Sequence, residues 1–98
     1  MKKGGYVYII TNRWHTVLYT GVTASLTRRV MQHKDKMNPR SFTAKYNCDV
    51  LIYYCGFHSI EEAIAEETRI KGLNRKKKFA LITEMNPLWK DLYPDLEE

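Results

Sequence analysis

Cysteine is scarce in this chain. The two present, Cys48 and Cys55, supply neither a disulfide framework nor a thiolate metal cage. Their odd spacing puts them on opposite faces of any strand they share, so they read as free, structural thiols. Long apolar runs are missing too, and nothing approaches the roughly 20 residues a spanning helix needs. The start, Met1-Lys2-Lys3-Gly4-Gly5, is charged, but the apolar segment Tyr6–Thr11 behind it is too short for a secretory signal. These absences predict a protein of the cytoplasm with no membrane partner. Internal repeats and low-complexity linkers are also lacking, and 98 residues suit one core, so a single domain over 1–98 is expected. An apolar fraction of 44% excludes a disordered chain.

Acids are in deficit, 11 against 16 Lys and Arg, which leaves a net charge of +5 and a pI near 9.3. A basic balance alone says little, but the charges are segregated. Arg75-Lys76-Lys77-Lys78 is a dense basic run, and Arg28, Arg29, Lys34, Lys36, Arg40 and Lys45 share one earlier stretch. Acids gather instead at Asp91, Asp95, Glu97 and Glu98. The result is a directed positive field that suits a polyanion; a solvated helix face is the plainer account of the Arg75–Lys78 run.

Tyr6-Val7-Tyr8-Ile9-Ile10 is aromatic and β-branched, as a strand should be. A polar link, Thr11 to His15, leads to a second strand at Val17-Leu18-Tyr19-Thr20, ended by Gly21, and the pair predicts a hairpin. Ser25 is the expected N-cap of a helix reaching about Lys36, with Asn38-Pro39 beyond it. The stretch 40–47 reads as irregular, and Val50 to Cys55 as a third strand stopped near Gly56. Ser59-Ile60-Glu61-Glu62 is a capping box opening a helix to about Lys71, with Gly72 as its stop. A further helix over about Arg75 to Glu84 is closed by Asn86-Pro87, and the tail carries Leu88, Trp89, Leu92 and Tyr93 to fold back on the core. The order β-β-α-β-α-α predicts an α+β fold, a small three-stranded, largely antiparallel sheet flanked by helices.

Two charges interrupt apolar helix faces. Glu67 falls among Ile60, Ala63, Ile64 and Ile70 at helical spacing, and Arg29 lies between Leu26 and Val30 with His33 one turn on. A carboxylate facing a core must be paired or hold a metal. Three readings are open: an Arg29–Glu67 ion pair, two side chains at the stripe's edge reaching water, or polar groups converging in a cleft.

The motifs have a family likeness. Tyr6-Val7-Tyr8, followed by Tyr19-Thr20-Gly21 eleven residues beyond Tyr8, resembles the paired tripeptides of the GIY-YIG nuclease superfamily, with Tyr6 in place of the first glycine. Leu26-Thr27-Arg28-Arg29-Val30 with His33-Lys34 is similar to that family's helix, whose arginine ten residues after the second motif's tyrosine corresponds to Arg29. Glu67-Thr68-Arg69-Ile70-Lys71, continuing to Asn86-Pro87-Leu88-Trp89, resembles small stand-alone bacterial members related to the excision-repair nuclease subunit's catalytic domain. The likeness covers nearly the whole chain. Some members carry a lysine shortly after the second motif, where this chain has Val22 and Thr23.

The resemblance implies a metal-dependent endonuclease cutting phosphodiester bonds with one divalent cation, Mg²⁺ or Mn²⁺. It implies Glu67 as metal ligand, Arg29 as the phosphate-stabilising cation, Tyr8 and Tyr19 as active-site tyrosines, and Asn86 (over Asn74) as the late asparagine. Tyr8 would serve as general base if adjacent cations lower its pKa from about 10; His33 would assist proton transfer. Arg28, Lys34, Lys36, Arg40, Lys45 and Arg75 to Lys78 are the expected backbone-binding residues. DNA is favoured over RNA, and structure-selective or weakly sequence-selective cutting in repair or recombination over base reading. The rival readings are a catalytically weak nucleic-acid-binding module acting with a protein partner for targeting, and a protein-interaction domain supported only by Trp14 and Tyr53-Tyr54.

Overall fold

The computed structural model describes residues 3–96. The charged start at Met1 and Lys2 and the terminal acids Glu97 and Glu98 lie outside them. Strand β1 (Gly5–Thr11) is central, flanked antiparallel by β2 (Leu18–Thr23) and β3 (Val50–Phe57), in the order β2-β1-β3. The helices are α1 (Leu26–Lys34), α2 (Phe42–Lys45), α3 (Ile60–Lys71) and α4 (Arg75–Met85), and a 3-10 turn, Tyr93–Asp95, ends the described chain. The expected α+β architecture holds, with the one-turn α2 added inside the stretch read as irregular. Among the described residues no helix is long and apolar enough to cross a membrane.

Alternation along β1 divides the core. Val7 and Ile9 face one side, with Ala63 and Ile70 of α3 and Ile82 of α4; Tyr8 and Ile10 face the other, with Leu26 and Val30 of α1. Cys55 packs with the first group and Cys48 with the second, and both are free thiols. A bulge opposite Ile9 and Ile10 skips Ile52 in the β1–β3 register, so Ile52 and Tyr53 both join the α3 side.

Local chemistry accounts for the helix ends. The α1 helix stops two residues short of Lys36 because Lys36 turns left-handed, with φ of 51°. Met37 N–H donates to the Gln32 carbonyl and Lys36 N–H to that of His33, a Schellman closure made without glycine. Ser25 holds the N-cap position of α1 but its side chain makes no cap bond; Thr23 Oγ1 accepts from Ser25 N–H instead. At α3, Ser59 Oγ accepts from Glu62 N–H at 3.2 Å and its hydroxyl donates to the Glu62 carboxylate at 3.0 Å. Strand β2 runs through Gly21 to Thr23, because Gly21 pairs with Tyr8 across the hairpin.

The tail folds back as expected, by way of the sheet edge. Trp89 packs on the α3 side, whereas Leu92, Tyr93 and Leu96 pack on the α1 side. Between them Leu92 N–H donates to the Leu51 carbonyl at 2.7 Å, and Asp91 Oδ1 accepts from Leu51 N–H at 3.1 Å, covering β3's open edge. Lys34 clamps this crossing, donating at 2.6 Å to both Asp91 Oδ2 and the Asp49 carbonyl. Leu88 alone of the tail's expected anchors is exposed.

Asn86 ties tail to bulge. Its amide donates to the Ile52 carbonyl at 3.1 Å and the Lys90 carbonyl at 2.9 Å, and its oxygen accepts from Lys90 N–H at 3.2 Å. Asn86 is 3% exposed, so Asn86→Ala strands buried polar groups at about 1–3 kcal/mol. The expected result is a lower urea midpoint with an unchanged m-value.

Candidate active site

The two halves of the hairpin put Tyr8 and Tyr19 on one face. Tyr8 pairs with Gly21 and Ile10 with Tyr19, so the side chains of Tyr8, Ile10 and Tyr19 point toward α1. The missing side chain at Gly21 is what lets the phenol lie across the hairpin, since a Cβ there would fall 2.4 Å from the Tyr8 hydroxyl oxygen. In the first turns of α1, Leu26 and Val30 bury themselves and His33 follows on the same face. The rings of Tyr8, Tyr19 and His33 then form a triangle with centroid separations of 6.5, 5.7 and 5.8 Å.

Hydrogen bonds give that triangle its chemistry. Tyr8 Oη lies 2.8 Å from His33 Nε2, and His33 Nδ1 lies 3.0 Å from Thr43 Oγ1. Arg29 lies near enough to the Tyr8 phenol to act on its pKa, and its Nη1 reaches Gln32 Oε1 at 3.4 Å. A cleft of about 190 Å³ opens beside Tyr19, Arg29 and His33, with Lys36, Phe42 and Thr43 on its other side.

The structure separates the readings left open for the two charges. Arg29 is exposed and sits at the edge of the face buried by Leu26, Val30 and His33. On α3 the buried positions are Ala63 and Ile70, while Ile64 is 46% exposed, so the stripe is rotated from the one expected. Glu67 still points inward, its side chain 16% exposed. Among the described residues no ion pair joins it to Arg29; its partner is Lys71, at 3.4 Å on its own helix. The Glu67 charge nevertheless reaches Tyr8 and raises its pKa.

Electrostatics also reverse one expectation. The Tyr8 pKa is raised, not lowered: burial outweighs the lowering by Arg29, and the charges of Tyr19 and Glu67 add to the rise. Tyr8 is therefore a protonated phenol at neutral pH. Burial and the nearby Arg29 charge lower the His33 pKa to about 4, so the ring is neutral.

Other expected site residues divide by exposure and engagement. Arg28, Lys36, Arg40, Lys45, Arg75, Lys76 and Lys77 are exposed, Lys78 is half-buried, and Lys36 lines the cleft. Lys34 is a correction, because its ammonium is held by Asp91 and the Asp49 carbonyl. Asn86 is another: the bulge at Ile52 and the backbone of Lys90 occupy its amide. Thr43 joins the neighbourhood without a sequence signal, since its contact with His33 arises only when α1 and α2 meet; Gln32 joins through its contact with Arg29, one turn earlier on α1.

The unfolded chain takes up a proton at His33 below about pH 6.5, and the folded chain only near pH 4. Stability is expected to fall as pH drops through that window. An NMR titration of the His33 ring should give a midpoint near 4, moved upward in Gly21→Ala, where the displaced phenol opens the ring to water.

Comparison with known proteins agrees with this arrangement. Residues 4–80 match the family described as the GIY-YIG catalytic domain. A UPF0213 protein of Serratia proteamaculans is 33% identical over 81 residues, covering 82% of this chain and 78% of that one. A second, from Staphylococcus haemolyticus, is 33% identical over 79 residues, covering 81% and 94%. The solution NMR structure of a UPF0213 protein from Bacillus halodurans superposes with a TM-score of 0.57 at 29% identity, covering 89% of this chain and 90% of that one. With most of its length inside the family match and its tyrosine pair on one sheet face, this chain belongs to the GIY-YIG family of catalytic domains.

Proposed function

We propose that this protein is a divalent-cation-dependent endonuclease that hydrolyses phosphodiester bonds in DNA. The GIY-YIG domain is a nuclease domain, and its members generally use divalent metal ions. The observation that carries the reading for this chain is the 2.8 Å contact between Tyr8 Oη and His33 Nε2, with the Arg29 charge beside the same pair. A buried acid–base pair beside a cation and an open cleft is the equipment phosphodiester hydrolysis needs.

The donor set fits one hard cation. Among the described residues no cluster of three or more His, Cys, Asp or Glu side chains is poised to hold a metal. Glu67 offers one inward carboxylate whose ion pair with Lys71 is long at 3.4 Å. A single carboxylate, completed by water and phosphate oxygens, is the habit of Mg²⁺. A cation held by Glu67 would polarise the phosphate and stabilise the leaving oxygen.

The chain's own groups do the rest. Arg29 neutralises charge building on the phosphate with planar, charge-assisted hydrogen bonds. Tyr8 accepts the proton of the attacking water as it passes its own to the neutral His33, so no free phenolate is required. Tyr19 borders the cleft and orients phosphate or water.

Binding is assigned to Arg28, Lys36, Arg40, Lys45 and the Arg75–Lys78 run, through phosphate neutralisation. Those last four residues open α4, whose first turn carries no acid. Cations at the positive end of a helix dipole are unfavourable by about 0.3–1 kcal/mol each, which a bound polyanion offsets. With contacts of this kind, structure-selective or weakly sequence-selective cutting is the reading, in repair or recombination and with targeting left to a protein partner.

Incubation with branched, flapped and plain DNA in Mg²⁺ or Mn²⁺ is expected to give cleavage of at least one substrate. Glu67→Gln and Arg29→Ala should each lower the rate by at least about 100-fold, with DNA binding kept in Glu67→Gln. Salt-sensitive binding with no cleavage of any substrate would favour a binding module instead. Replacing Lys76 and Lys77 together by Ala should flatten the slope of log affinity against log salt by roughly 1.5–2.

A further inference from the structure

Four side chains stand in single file from the buried Tyr8 to the cleft wall, which His33, Thr43 and Ser41 line. Tyr8 Oη meets His33 Nε2 at 2.8 Å, His33 Nδ1 meets Thr43 Oγ1 at 3.0 Å, and Thr43 Oγ1 meets Ser41 Oγ at 3.2 Å. Ser41 caps α2, its Oγ accepting from Ala44 N–H at 3.2 Å. Tyr8, His33 and Thr43 are buried, so each hydrogen bond in the file matters.

The direction of the file follows from the chemistry of its members. Tyr8 keeps its proton at neutral pH and His33 is neutral. A phenol is a stronger donor than a neutral imidazole N–H, and an imidazole nitrogen a stronger acceptor than a phenol oxygen, so the favoured arrangement has Tyr8 donating to Nε2. In a neutral imidazole one nitrogen accepts and the other donates. Nε2 accepting puts the N–H on Nδ1, which donates to Thr43 Oγ1. The Thr43 hydroxyl then donates to Ser41 Oγ, which keeps a lone pair free beside its bond from Ala44. The charged and titratable groups around the ring are Tyr8 and Tyr19 from the sheet, Arg29 on its own helix, and Lys36 on the cleft wall. On α2 the ring meets a hydroxyl, not a charge.

We propose that Thr43, backed by Ser41, is a positioning residue that fixes His33 in the Nδ1–H tautomer and so leaves Nε2 to accept the Tyr8 proton during phosphodiester hydrolysis. This rests on the nuclease reading above. As the water oxygen bonds to phosphorus, a water proton moves to the Tyr8 oxygen and the original Tyr8 proton moves to Nε2. The bond from phosphorus to the leaving oxygen breaks, that oxygen takes a proton from water, and the imidazolium later returns its proton to solvent. Thr43 accepts from Nδ1–H before and after transfer, so that end of the file has nothing to rearrange. The one-turn α2 is thereby part of the catalytic apparatus without touching the reacting atoms.

The test uses the full chain. Long-range ¹⁵N–¹H spectra of metal-free protein should show His33 as Nδ1–H in wild type and Thr43→Ser, and a loss of that preference in the near-isosteric Thr43→Val. With DNA and Mg²⁺, Thr43→Val should lower kcat by about 10- to 100-fold with KM little changed and the acid limb of the pH–rate profile displaced, while Thr43→Ser recovers both. An Nε2–H ring in wild type, or Thr43→Val cutting as fast as Thr43→Ser with the same pH profile, overturns the proposal. A wild type that cuts no nucleic acid overturns the nuclease reading instead, and the tautomer spectra still decide whether Thr43 sets the ring.

Discussion

The burial of one phenol organises this molecule. Tyr8 stands on the central strand, 1% exposed, and its hydroxyl can be buried only because partners reach it. His33 comes from the last turn of α1, so its bond to Tyr8, with the burial of Leu26 and Val30, sets the rotation of that helix against the sheet. Gly21 keeps the space the ring occupies. Thr43 and Ser41 then hold the far side of His33, which fixes where the chain after α1 must turn. A buried polar group of this kind is costly when unpaired and rigidifying when satisfied.

A second set of contacts keeps that arrangement apart from the rest of the fold. Lys34, one residue after His33, points away from the cleft and clamps Asp91 against β3. Asn86 fills the gap left at the bulge. The α1 helix thus serves chemistry with Arg29 and His33 and tail docking with Lys34, and adjacent residues divide the work because consecutive helix positions point in different directions. The raised Tyr8 pKa and the lowered His33 pKa come from the same burial. Both groups are neutral near pH 7, which favours passing a proton along a chain over holding a phenolate in a dry site.

Much of this is written locally. The aromatic and β-branched run Tyr6 to Ile10 marks a strand, Ser59 with Glu62 marks the start of α3, and Asn86-Pro87 its successor's end. Each signal acts within a turn or two of its own residue, where propensity and capping decide. The tyrosine pair was legible through its resemblance to the paired tripeptides, and the hairpin register then sets both rings on one face. Glu67 was noticeable as a carboxylate among apolar neighbours, even though the buried stripe proved to exclude Ile64.

The sequence by itself determined the three strands, the longer helices and their order, since these follow from local backbone chemistry and period. Tertiary structure alone decided which polar groups are free and which are spent. Lys34 and Asn86 look like their solvent-facing counterparts in the sequence, and only the docked tail and the bulge occupy them. Thr43 looks like any loop threonine until α1 and α2 set it beside His33. The direction of the Tyr8 pKa was likewise invisible, because desolvation depends on everything packed around the phenol and not on its neighbours in the chain.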